Sequence, residues 1–109
     1  NSLIYLSDSP EQVREKINKY AFSGGRDTLE EHRKKGGNPD IDVCYQYLKY
    51  LFESDDRKLQ KIYDDYKSGK LSTAELKKIT IEKINSFLKE HQKKKHEAKK
   101  IVDKFLLRN

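Results

Sequence analysis

Apolar residues recur at helical spacing along most of the 109-residue chain, and polar stops separate the runs. Val13, Ile17, Tyr20 and Ala21 are set four, three and one apart, which places them on one helix face. Just ahead of them, Ser9-Pro10-Glu11-Gln12 reads as a helix start. Ser9 suits the N-cap, Pro10 the first turn, and Gln12 can reach back to the cap. Gly24 is expected to stop this helix in the left-handed conformation. Asp27 is expected to cap a short second helix, with Glu30 completing a capping box, and Gly36-Gly37 ends it. After a turn at Pro39-Asp40, a third helix is predicted from about Asp42 to Phe52, with Val43, Tyr47 and Leu51 in one stripe and Cys44 and Leu48 beside it. Asp55 or Asp56 starts a fourth, carried by Leu59, Ile62, Tyr63 and Tyr66 and closed by Gly69.

Ser72-Thr73-Ala74-Glu75 is another capping box. Beyond it Leu76, Ile79, Thr80, Ile84, Phe87, Leu88 and His91 keep helical period. The polar tract Gln92–His96 interrupts the stripe, which resumes at Ala98, Ile101, Val102, Phe105 and Leu106. With no Gly or Pro after Thr73, one long helix is expected. Leu3–Leu6 is a short extended run, and no strand pattern follows it. The predicted fold is all-α: a helical bundle of about five helices with a long C-terminal helix and a short extended segment at the N-terminus.

Composition bounds this picture. Hydrophobic residues make up 34% and charged residues 39%, so the core is thin and is drawn from Leu, Ile, Tyr and Phe. The helical periodicity argues against the disorder that such polarity would otherwise suggest. The chain has no Met and opens as the interior of a protein would, so it is expected to be a piece of a longer polypeptide. The net charge of +6 is unevenly spread: residues 1–67 carry 12 Lys/Arg against 13 Asp/Glu, whereas residues 68–109 carry 12 against 5. The last third is therefore suited to phosphates or an acidic surface. A solvated helix face is the plain alternative.

No residue pattern in the chain carries reaction chemistry. His91 and His96 are five apart and point to different faces, so no metal pair is expected, and each His is read as a surface or packing residue. Cys44 is alone in an apolar stretch without a cation to activate it, which makes it an inert thiol and points to a reducing compartment. No run approaches the length of a membrane span. Gly24-Gly25 and Gly36-Gly37 lack the Lys-Ser/Thr of a phosphate-binding loop and are read as helix caps. Asp55-Asp56 and Asp64-Asp65 read as helix-start and helix-surface acids.

Nucleic-acid binding fits better. Lys70, Lys77, Lys78, Lys83, Lys89, Lys93, Lys94, Lys95, Lys99 and Lys100 run along the last helix and its approach. They suit phosphates, which give affinity without sequence information. Reading a base needs a fixed hydrogen-bonding group. Arg26 and Asp27 offer a flat donor fork and an acceptor, between Gly24-Gly25 and a helix start. The local alternative is that Asp27 only caps its helix and Arg26 pairs with a nearby acid.

The order Ala21-Phe22-Ser23-Gly24-Gly25-Arg26-Asp27-Thr28, then Glu30-Glu31-His32-Arg33, Gly36-Gly37-Asn38-Pro39-Asp40-Ile41-Asp42-Val43 and Tyr45-Gln46-Tyr47-Leu48 resembles the C-terminal helical region of tryptophanyl-tRNA synthetases of the eukaryotic and archaeal, cytoplasmic type. The likeness starts at Ile4-Tyr5-Leu6-Ser7-Asp8 and extends to Tyr66-Lys67-Ser68-Gly69 and Glu75-Leu76-Lys77-Lys78. It implies that residues 1–8 connect to an upstream class I Rossmann catalytic domain and that residues 9–109 form a helical anticodon-binding domain. It implies anticodon contacts at Arg26, Asp27, Lys77 and Ile81, the alternative for Ile81 being ordinary core, with Lys70 and Lys78 as phosphate neighbours; Lys93 and Lys94 are further candidate phosphate contacts, in a tract more basic than the resemblance requires. Lys77 and Ile81, four apart, share a helix face independently of the resemblance.

The resemblance also implies tRNA(Trp) as partner and a homodimer with contacts mainly in the catalytic domain. ATP with Mg, and tryptophan, would be substrates of that domain, because this chain holds neither a HIGH-like nor a KMSKS-like signature and no catalytic residue. The implied compartment is the cytoplasm. Two other readings stay open: the matching domain of a tyrosyl-tRNA synthetase, and a basic helical module that binds an acidic protein or surface without any RNA role.

Overall fold

The computed structural model describes residues 4–107, and the side chains of residues 4–96. Five α-helices and no strand occur among the described residues: α1 Pro10–Tyr20, α2 Leu29–Lys35, α3 Val43–Tyr47, α4 Asp56–Ser68 and α5 Thr73–Leu107. A 3-10 turn, Pro39–Ile41, precedes α3 and a π turn, Leu48–Phe52, succeeds it. The all-helical architecture with a long last helix is the one that the apolar periodicity predicts. The resumed stripe from Ala98 to Leu106, and Lys99 and Lys100, lie outside the described side chains.

Local chemistry sets most boundaries. Ser9 Oγ accepts from Gln12 N while Gln12 Oε1 accepts from Ser9 N, closing the expected capping box of α1. Ser72 and Glu75 close the same box on α5. Asp55 caps α4, and Gly69, at φ 87°, ends it in the left-handed conformation.

Four expectations need correction. First, α2 is capped by Thr28, whose Oγ1 accepts from Glu31 N at 3.1 Å, and not by Asp27. The chain enters one residue later, which frees the Asp27 carboxylate. Second, α1 ends at Ala21, and positive φ among the described glycines is confined to Gly36 and Gly69. Gly24 and Gly25 serve close approach instead. A Cβ on Gly24 would collide with Asn38 O, and one on Gly25 would collide with Thr73 Oγ1.

Third, the helix beginning at Val43 widens into the π turn, where Glu53 N donates to Leu48 O at 2.9 Å. One extra residue in the turn rotates the residues after it about the helix axis. Cys44, Tyr45 and Leu48 become the buried positions, and Leu51 is left 69% exposed. Fourth, the extended run expected over Leu3–Leu6 gives way to a turn that spans Tyr5–Asp8. Asp8 Oδ2 accepts from Tyr5 N, and Asp8 N donates to Tyr5 O.

The core lies where α1, α3 and α4 meet the first part of α5. Val13, Ile17, Leu48, Tyr66, Leu76 and Ile84 are all essentially excluded from solvent there. Burying an aliphatic side chain of this size contributes roughly 1.5–3 kcal/mol. Thr80, also fully buried, donates to Leu76 O at 2.9 Å, so its hydroxyl is satisfied within the helix. Further along, Gln92 Nε2 donates to Leu6 O and Asp8 O, which ties the turn at Tyr5–Asp8 to the side of α5.

Candidate nucleic-acid interface

The segment Ser23–Gly25 between α1 and α2 is stitched to three other elements. Gly24 N donates to Asp42 Oδ2 at 2.9 Å, and Gly24 O accepts from Asn38 N at 2.8 Å. Gly25 N donates to Ser23 Oγ, which lies 3.1 Å from Thr73 Oγ1 at the start of α5. Tyr66 of α4 donates to Asp42 Oδ2 and lies 2.9 Å from Thr73 Oγ1. Burial pushes the Tyr66 phenol up, against the pull of its Ser23 and Thr73 hydrogen bonds. Asp42 also caps α3 by accepting from Tyr45 N.

His32 walls the corner from α2. Its Nε2 lies 2.7 Å from Leu71 O, and a carbonyl can only accept, so Nε2 carries the proton. The buried Nδ1 has no hydrogen-bond partner among the described residues and faces Gly25. The ring packs against Tyr66 with centroids 5.0 Å apart. The packing role expected of the histidines fits this one, and His91 stacks on Phe87.

Arg26 and Asp27 stand just past this anchored corner, and both are exposed. Arg26 Nε donates to Gly36 O at 2.9 Å, which fixes the guanidinium to the protein backbone and not to an acid. Among the described residues the Asp27 carboxylate takes no hydrogen bond. Thr73 lies one turn before Lys77, so the corner abuts the same end of α5 that carries Lys77. Lys77 is half-buried, and its Nζ donates to Asn18 O at the end of α1.

Ile81 is only 8% exposed and belongs to the core, yet it also lines a groove between α1 and α5 with Arg14, Asn18, Ala74, Lys78 and Glu82. The sequence did not single out Arg14 and Asn18. Their spacing of four, the same as that of Lys77 and Ile81, was the available signal. Lys70 is exposed near Arg33, whose guanidinium donates to the Gly69 and Lys70 carbonyls and pairs with Glu75. Lys93, Lys94 and Lys95 are exposed and have no ion-pair partner among the described residues.

Burial, and after it the nearby Asp42 charge, pushes the Cys44 thiol up to about 12, which leaves it unreactive. No group of three or more His, Cys, Asp or Glu converges on a metal-sized site among the described residues. No described helix is long and apolar enough to cross a membrane. The corner carries the Arg26 donor fork and a carboxylate, that of Asp27, which takes no hydrogen bond among the described residues, beside the lysines of α5.

The family model for tRNA synthetases class I (W and Y) matches residues 1–89. The chain belongs to this family. A tryptophan–tRNA ligase of Sulfurisphaera tokodaii is 61% identical over 94% of the chain, and the cytoplasmic tryptophan–tRNA ligase of Homo sapiens is 50% identical over 97%. The chain spans 27% and 22% of those two class I synthetases, about a quarter of their length. The crystal structure of Plasmodium falciparum tryptophanyl-tRNA synthetase superimposes with a TM-score of 0.84 at 52% identity, over 89% of this chain and 27% of that one. These similar synthetases all carry the tryptophan name, and the helical fold described above is one that the Plasmodium enzyme shares.

Proposed function

We propose that this chain is the anticodon-recognising part of a tryptophan–tRNA ligase. The parent enzyme would activate tryptophan with ATP and Mg in an upstream catalytic domain, joined through residues 1–8, and would transfer it to tRNA(Trp) in the cytoplasm as a homodimer. Residues 9–109 would position the tRNA and carry no catalytic group. The observation that carries this reading is the hydrogen-bonded seam between Ser23–Gly25 and Thr73, which brings the Arg26–Asp27 corner to the end of α5 that bears Lys77.

Each proposed reader supplies a distinct capability. Arg26 has the rest of its fork unbonded among the described residues while Nε is spent on Gly36 O. Asp27 offers a carboxylate that can accept from a base amino group. Lys77, held by Asn18 O, supplies a donor at a fixed place. Ile81 supplies an apolar floor for a base in the groove beside Arg14 and Asn18. Lys70, Lys78, Lys93 and Lys94 would neutralise phosphates.

Arg26→Ala in the whole enzyme tests this directly. The expected result is a higher KM for tRNA(Trp), with tryptophan-dependent pyrophosphate exchange at the wild-type level. Loss of exchange in that variant would contradict the assignment, because exchange needs no tRNA. Charging with tryptophan and with tyrosine separates this reading from the tyrosyl enzyme, which the class I (W and Y) family also includes.

The Lys93–Lys95 tract, exposed and without an ion-pair partner among the described residues, supports a purely electrostatic reading, in which an acidic partner binds without any regard for bases. Equal affinity for tRNA(Trp) and for an anticodon-altered tRNA would favour that reading.

A further inference from the structure

The hydrogen bonds beneath the corner can be ordered by counting protons. Each hydroxyl has one proton to give and can accept as well. Asp42 Oδ2 only accepts, so Tyr66 spends its proton there, at 2.9 Å. With its proton spent, Tyr66 accepts from both neighbouring hydroxyls, Thr73 at 2.9 Å and, more weakly, Ser23 at 3.4 Å, and the shorter contact takes the Thr73 proton. Thr73 in turn accepts from Ser23 at 3.1 Å, and Ser23 accepts from Gly25 N at 3.0 Å. The chain of bonds therefore runs in one direction, from the Gly25 amide through three hydroxyls to the carboxylate of Asp42, a residue only 2% exposed. The same carboxylate takes the Gly24 amide, so it anchors both glycines of the corner. Each link polarises the next when it is shielded from water.

From this geometry we infer that Tyr66, Thr73 and Asp42 are positioning residues for base recognition, forming a one-way hydroxyl clamp that holds the Arg26–Asp27 corner in register with Lys77. The inference rests on the anticodon reading proposed above and deepens it. Tyr66 comes from α4, Asp42 from the start of α3 and Thr73 from α5, so the clamp is the point where three elements agree on the place of the corner. Thr73 is the link that matters most, because it belongs to the same helix as Lys77 and lies one turn before it. A reading group must be held to within a fraction of an ångström by such supporting bonds, or its selectivity falls. None of the three residues needs to touch RNA for this to operate.

The test compares tRNA(Trp) with an anticodon-altered tRNA(Trp) in aminoacylation by the whole enzyme, across Thr73→Val, Thr73→Ser, Tyr66→Phe and Arg26→Ala. Valine keeps the shape of threonine and removes the link, whereas serine keeps the hydroxyl. The expected result is a preference for the cognate tRNA reduced about tenfold in Thr73→Val and Tyr66→Phe, equivalent to ~1.4 kcal/mol, through a raised KM for tRNA. Thr73→Ser retains the preference. The salt dependence of binding stays at the wild-type slope, because every phosphate-binding lysine is still in place. A wild-type preference in Thr73→Val, or an equal loss in the Val and Ser variants, overturns the clamp while leaving the anticodon reading intact, provided Arg26→Ala loses the preference. If Arg26→Ala keeps the full preference, the anticodon reading falls and the clamp falls with it. Should Tyr66→Phe not fold, the Thr73 pair still decides the matter.

Discussion

Lys77 and the Lys93–Lys95 tract are the same residue type on the same helix, roughly four and a half to five turns apart, and their surroundings differ. Lys77 is half-buried and its ammonium is spent on Asn18 O at 3.3 Å. It is flanked by Leu76 and Thr80, which are wholly excluded from solvent. Lys93–Lys95 are exposed and lie past Gln92, the last described residue of α5 to bond to the body of the molecule. A cation held at a fixed place can distinguish one base edge from another. A cation on a long, free side chain lowers the energy of any nearby phosphate by a similar amount. Charge alone is therefore a poor guide to where selectivity lies on this helix. The packing beneath each lysine is the better guide.

Removing the rigid support gives the largest effect. Leu76→Ala, which empties a fully buried site under Lys77, should cost about 2–5 kcal/mol in denaturant unfolding. A cost below about 1 kcal/mol would mean that the start of α5 is not the packed platform described here. Next comes the reading group. Arg26→Ala should lose about 1–3 kcal/mol of preference for tRNA(Trp) over an anticodon-altered tRNA, measured as the ratio of kcat/KM values. The same ratio should not change when Lys93, Lys94 and Lys95 are replaced by Gln. That triple variant should instead lower the slope of log affinity against log salt by about 0.7–0.9 for each phosphate left without its lysine, for both tRNAs alike. A change in preference from the triple variant would erase the contrast between the two regions.

Much of this division could be read from the chain. Apolar spacing set the five helices, and Ser9, Asp55 and Ser72 marked three of their starts because their side chains bond locally. What could not be read depends on contacts between distant segments. Gly24-Gly25 looked like a helix stop, and it is instead a surface against which Asn38 and Thr73 pack, which no local rule reveals. The one-residue shift of the α2 cap from Asp27 to Thr28 is of the same kind, since both residue types cap well. The π turn at Leu48–Phe52 moved Leu51 out of the stripe assigned to it, because one extra residue breaks a period that was extrapolated from Val43. At the interface, Arg26 and Lys77 stood out as side chains. Their tethers, Gly36 O and Asn18 O, are backbone carbonyls that any sequence would supply.

The smallest expected effect concerns the turn that is tied to α5 by Gln92. The Lys16 ammonium, and then the Tyr5 amide, hold the Asp8 carboxyl below its ordinary value of 3.8. With the folded value depressed, this contribution to stability is complete above 3.8 and is lost as pH falls through the folded value. The stability gap between wild type and Asp8→Asn should therefore be narrower at about pH 3 than at about pH 7. An equal gap at both would show that the Asp8–Lys16 pair, 2.7 Å apart, adds nothing that titrates.

The central claim, that a fixed corner and the start of α5 read bases while the distal lysines only neutralise, is tested most directly by binding at several salt concentrations. The account predicts that raising the salt weakens the whole enzyme's grip on tRNA(Trp) and on an anticodon-altered tRNA(Trp) together, while the ratio of the two affinities holds. Equal affinity for the two tRNAs at every salt concentration would contradict it.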